Sequence, residues 1–192
     1  MKDQYLNHIK KQFEYYRQLG QRTIDQVPEP KLFWQHNKHN NSIAIIVNHL
    51  CGNMLSRWTD FLTDDGEKEW RERDNEFEAL IRSKKELQEK WDQGWDCLYK
   101  AVNALKPEDL TKTVYIRNMG QSVYEAIDRQ LAHYAYHVGQ IVLLGVMIQG
   151  KEWQSLSIPR GKSKEYNLRK FAKPRRKEHF TDDFLNRTGD EK

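Results

Sequence analysis

Long apolar runs, cysteine, proline and glycine are all scarce in this 192-residue chain, and each scarcity excludes something. The longest uninterrupted apolar stretch, Ile141 to Ile148, is eight residues with Gly145 inside it. That falls short of the roughly 18 to 20 residues that cross a bilayer, so no membrane partner is expected. Cys51 and Cys97 allow one bridge at most, and the charged N-terminus (MKDQYLNHIKKQFEYY) is no secretory leader. A disulfide scaffold is therefore excluded, and a cytoplasmic location is expected. Five Pro and ten Gly are too few turn residues for an all-β sandwich. Several reactive motifs are missing as well. HYAYH at 133–137 has Tyr134 where a zinc protease carries its Glu, and neither a G-x-S-x-G nor a C-x-x-C occurs. Gly161-Lys162-Ser163 lacks the earlier glycine of a phosphate loop, because position 156 is Leu.

What is present is charge and aromatic mass. The chain is 38% hydrophobic, 31% charged and 11% aromatic, with six Trp. It is polar, yet too aromatic to stay unfolded. The net charge of +4 is uneven: residues 151–192 hold twelve Lys and Arg against seven Asp and Glu, so residues 1–150 carry −1. A near-neutral body with a basic tail differs from a uniformly basic nucleic-acid binder. Asp64 to Glu78 packs eight acids and three bases together. It reads as a solvated loop running into a helix start, or as a charged lid over a pocket.

Apolar spacing then locates the elements. Tyr5, Ile9, Phe13, Tyr16, Gly20, Ile24 and Val27 recur at three- and four-residue steps, a first helix closed by Pro28 and Pro30. Asn41 or Ser42 caps a second, running from Ile43 to Leu62 and stopped by Asp65-Gly66. Ser83 with Glu86 is a capping box for a third, which Pro107 ends. Thr111 to Arg117 is a short β-prone connector, and Gln121 or Ser122 opens a fourth helix reaching about Gln149. The expected fold is all-α: a four-helix bundle over residues 1–150, followed by an irregular basic C-terminal extension, 151–192.

The fourth helix carries the chemistry. His133 and His137 lie one turn apart on a strongly apolar helix, and two buried imidazoles need partners or suffer a desolvation cost. A divalent metal would satisfy both. Bundle sites draw ligands from facing helices, and His49 in IIVNHLCGN is the candidate from the second helix. Ile45, Asn53 and Ser56 share its face within about 40°, whereas Cys51 lies about 200° round and reads as a small buried hydrophobe. Three His with an open position is the catalytic pattern of a metal site. The plainer alternative is three core histidines bonded to backbone or carboxylates.

The order NSIAIIVNHLCGN, about 80 residues, then LAHYAYHVGQI resembles the DinB/YfiT-like superfamily of metal-binding four-helix bundles. Asn41-Ser42, His49, His133, His137 and Gly139-Gln140 carry the likeness, which spans about residues 1–168. The segments SRWTDFLTDDGEKEWRERDNEF and SIPRGKSKEYN look like an uncharacterised bacillus-type subgroup. The resemblance implies that the three His bind a divalent metal, commonly nickel or zinc, and that homodimers form. It also implies likeness to thiol S-transferases using bacillithiol or mycothiol, or to a thiol-dependent isomerase.

Two functions of different class follow. The first is a metal-dependent transferase joining a low-molecular-weight thiol to a small electrophile. In it His49, His133 and His137 act as ligands, and Asn53, Ser56, Arg57 and Gln140 contact substrate or support the ligands. The second is a non-catalytic binding or regulatory protein. From Arg160 to Lys177 there are nine bases and one acid, interleaved with Tyr166 and Phe171, a strip able to neutralise phosphates. No helix-turn-helix or other nucleic-acid motif accompanies it, so nucleic acid is not the expected partner. The plainer reading, which the composition favours, is a solvated tail, or one laid over the bundle with its aromatics buried.

Overall fold

The computed structural model describes residues 2–185, which are mostly helical. Lys2–Gln26 form α1, burying Leu6, Ile9, Phe13, Gly20 and Ile24 along one face, and Pro28 and Pro30 follow it as the spacing predicts. Ser42 caps α2 (Ile43–Trp58), its hydroxyl accepting from the Ile45 N–H at 3.2 Å. Nearly every α2 side chain is buried. The helix stops four residues short of the expected Leu62. Thr59 is already extended, and Asp60 takes a left-handed φ of +49°, which turns the chain back across the end of the helix.

Residues 59–83 form an ordered strap without long helices. Ser83 caps α3 (Lys84–Ala104), accepting from the Glu86 N–H at 3.2 Å. The Glu86 carboxylate reaches the Arg82 N–H rather than that of Ser83, so the reciprocal half of the box is displaced by one residue. The β-prone connector becomes β1 (Thr113–Ile116), paired antiparallel with β2 (Met119–Ser122) in register Ile116↔Met119. Its two-residue turn puts both Arg117 and Asn118 at positive φ, 56° and 60°, the backbone of a type I′ turn. Ser122 and Glu125 make a full capping box for α4 (Val123–Gln149).

α1 packs on α4 and α3, and α2 packs on α3 and α4, so each long helix meets two others. The centre is aromatic: Phe13, Trp91, Trp95 and Tyr134 are fully buried or nearly so. Tyr134 accepts from Trp58 Nε1 at 2.9 Å and donates to Asn53 Oδ1 at 3.1 Å, so the buried hydroxyl is paired both ways. By length and composition alone Val123–Glu152 would cross a bilayer. In the fold its buried positions pack on α1 and α2, while Tyr136, Leu143 and Met147 remain exposed.

The C-terminal extension is not irregular throughout. Ser163–Phe171 form α5 and Asp182–Leu185 form α6. α6 returns to α1, where Lys11 pairs with Asp182 at 2.6 Å and the Arg22 guanidinium lies 4.2 Å over the Phe184 ring. α5 is unreadable from apolar spacing because it buries no residue. The last part of the predicted extension, 186–192, lies outside the described residues.

Candidate metal centre

His49 on α2 and His133 and His137 on α4 converge from facing helices. Their ring centroids stand 5.3, 4.7 and 4.6 Å apart, pair by pair. One ligand-capable atom from each lies within 4.8 Å of the other two, a group that could hold a metal ion. His49 Nε2 and His133 Nε2 face each other at 3.3 Å. Two imidazole nitrogens bound tetrahedrally to one ion at about 2.0–2.1 Å stand about 3.3–3.4 Å apart, so the pair is already spaced for a shared cation.

The outer nitrogens explain why the inner ones point inward. His49 Nδ1 lies 2.8 Å from Glu76 Oε2, and a carboxylate only accepts, so this nitrogen carries a proton and the ring's other nitrogen, Nε2, is the one that faces His133. His137 Nδ1 donates likewise to Gln140 Oε1 at 2.9 Å. Such carboxylate or amide partners orient metal-binding imidazoles and raise their basicity. His133 Nδ1 is buried without a hydrogen-bond partner among the described residues. Burial, reinforced by His137, His49 and the two guanidiniums of Arg57 and Arg71, pushes the His133 pKa down to about 3. Burial and His49 push His137 down to about 4, against the Gln140 bond. Both rings are therefore neutral at pH 7, the form that binds a metal.

The strap completes the site. Phe77 stacks on the His49 ring with centroids 4.6 Å apart and planes at 25°. Arg71, whose side chain is 2% exposed, grips both oxygens of Glu76 at 2.7 and 3.0 Å. Burial opposes ionisation of Glu76, but the bonds from His49 and Arg71 outweigh it and hold the carboxyl below its ordinary range. Asn48 Nδ2 holds the Glu76 carbonyl at 3.0 Å. Gly52 provides the room, since a Cβ there would stand 2.4 Å from Glu76 Oε1. Charges then alternate outward: Glu67 takes Arg71 at 3.3 Å, Arg57 at 3.1 Å and Arg117 at 3.2 Å.

Residues 1–162 match the model of a family described as protein of unknown function, DUF1572. The chain belongs to that family. No curated protein and no solved structure matches it. The DUF1572 match takes in α1 to α4, all three histidines and the strap, and it stops one residue before α5.

The residues singled out from the sequence have distinct placements in this DUF1572 chain. The three His come together, and Gln140 holds His137. Asn53, Ser56 and Arg57 are buried, each bonding groups other than the three histidines, and Arg57 Nε has no hydrogen-bond partner among the described residues. Asn53 accepts from Tyr134, Ser56 donates to the Gly66 carbonyl at 2.6 Å, and Arg57 bonds that carbonyl and Glu67. Cys51 is a buried thiol whose pKa burial raises to about 11, in keeping with its reading as a small hydrophobe. Sequence reasoning missed Glu76, Arg71, Phe77 and Gly52. Of these, only Phe77 adjoins Glu76 within the acid-rich stretch, and Arg71 stands five residues before it, so no local pattern marked that acid among the eight.

A cavity of about 250 Å³ lies at the start of α2, and none of the three histidines lines it. Ile45, one turn before His49, forms part of its wall together with Phe33, Ile81, Glu78 and Arg82.

Proposed function

We propose that this chain is a DinB/YfiT-like four-helix bundle that holds a divalent ion, nickel or zinc, on His49, His133 and His137. We further propose that it uses the ion to join a low-molecular-weight thiol to a small electrophile. The observation that supports the reading most is the pair of outward Nδ1–H bonds, to Glu76 and Gln140, on imidazoles that belong to a three-His group with ligand-capable atoms within 4.8 Å of one another. A divalent ion held there supplies Lewis acidity, lowering the pKa of a thiol or water that reaches it. The chain's own residues do the rest. Glu76 and Gln140 keep the imidazoles in their ligand tautomer, Phe77 covers one face of His49, and the cavity beside Ile45 receives the body of the electrophile. Cytoplasmic location belongs to the same reading, as does a homodimer formed through the exposed Tyr136, Leu143 and Met147 of α4.

Elemental analysis of the untagged protein beside a His133→Ala/His137→Ala variant tests the centre. Near-stoichiometric metal in the first and none in the second is the expected result, followed by thiol consumption in a screen of electrophiles with the loaded protein. No metal in either after reloading returns the histidines to the core. Turnover that persists in the metal-free variant overturns the transfer chemistry.

A further inference from the structure

α5 presents two unlike faces. Tyr166 and Lys170 turn toward α6, where both meet Asp183. On the opposite side, within about 60° of one another around the helix, Lys164, Leu168 and Phe171 lie on the exposed face. Leu168 is 74% and Phe171 83% exposed, the latter the most exposed large hydrophobic residue described. Around them the segment 160–177 carries nine bases and one acid, and Lys164, Arg169, Lys173 and Arg175 all lie on the surface. This element begins one residue after the family match ends.

We infer that α5 and its basic flanks dock on an anionic lipid surface. The charge is complementary to phosphate headgroups, which a Lys or Arg near the surface reads at about a fivefold gain in partition each. The outward apolar pair decides between lipid and nucleic acid. Leu168 has no ring to stack on a base, whereas a Leu and a Phe set between bases on one short face are what enters the headgroup boundary of a bilayer. The docking is interfacial: a helix of nine residues lies on a membrane and does not cross it.

The test is co-sedimentation of the full chain with vesicles of equal parts phosphatidylglycerol and phosphatidylcholine, against vesicles of phosphatidylcholine alone. The companion protein is Leu168→Ser/Phe171→Ser, whose changes fall on exposed positions, with a thermal melt to show that the fold is unchanged. Expected are binding to the anionic vesicles only, weakening with salt, and a loss of about tenfold in the double variant. Absence of binding to the anionic vesicles at low salt overturns the inference. So does binding that the double variant keeps in full, which would be charge alone. Tighter binding to a single-stranded oligonucleotide, insensitive to Leu168→Ser, would transfer the surface to nucleic acid and equally overturn it.

Discussion

Glu76 is where the burial of a single side chain has the widest consequence. Its carboxylate is bonded at once by His49 and by both arms of Arg71, and nothing on this scale is neutral to change. Glu76→Gln keeps an acceptor for His49 but loses the charge that makes it a strong one. Metal affinity should fall about 10- to 100-fold, read by competition with a chromophoric chelator, while the fold persists. Glu76→Ala is a different experiment, because it removes both acceptors that Arg71 grips and leaves that buried guanidinium with Glu67 alone. It should cost about 3–5 kcal/mol in urea unfolding. Gly52→Ala changes no ligand and no charge, yet its Cβ meets Glu76. It should reproduce the affinity loss of Glu76→Gln, and unaltered metal binding in Gly52→Ala would show that the carboxylate has freedom to move aside. The residues behind this arrangement differ in legibility. His133 and His137 could be read because helical spacing alone puts them on one face. Glu76 could not, since 27 residues separate it from His49 and the intervening strap has no period.

At the scale of elements, the strap and the hairpin stabilise each other. Asp65 accepts the backbone N–H groups of Arg117 and Asn118, each at 2.8 Å, and so holds a turn in which two residues with side chains sit at positive φ. Burial works against the Asp65 anion, but the bonds from Asn118, Glu67 and Arg117 more than offset it, and its pKa is depressed. The sign follows from that depression. The stabilisation is complete above the unfolded carboxylate value of about 3.9 and is lost as pH falls through the lower folded value. The urea midpoint of Asp65→Asn should therefore lie below that of the parent by a constant amount down to about pH 5, the gap closing below about pH 4. A gap independent of pH would mean that the side-chain shape matters and its charge does not. Element ends separate the readable from the unreadable here. Ser42, Ser83 and Ser122 were recognisable as caps because capping is local chemistry. The early end of α2 was not, because Phe61 and Leu62 continue its apolar pattern while the chain has already turned at Asp60.

For the whole molecule, a ligand that joins α2 to α4 should stabilise the fold that brings them together. Adding nickel or zinc at about 100 times the dissociation constant should raise the unfolding free energy by about 2.7 kcal/mol. The gain should vanish in His133→Ala/His137→Ala, as read by thermal melts with and without metal. A metal-dependent rise in the double variant would place the ion elsewhere. The proposed dimer belongs to this scale too. Leu143→Glu puts a charge into the exposed α4 stripe and should convert the protein to a monomer in light scattering, with no change in the melt of the metal-free protein.

Composition and period were enough for the helical class, three helix starts, the outer limits of α1 and α4, and the nomination of His49, His133 and His137. Each of these rests on interactions within a few residues or on one face of one helix, and the chain states such things directly. Tertiary structure alone decided that the acid-rich stretch reaches into the centre. It also decided that Arg57 and Ser56 brace the strap and that α6 folds back on α1. Those outcomes depend on which charges are buried together, and a buried charge is tolerated only where distant segments bring its partner. Sequence spacing does not encode that meeting, because the energy that selects it arises only once water has been excluded.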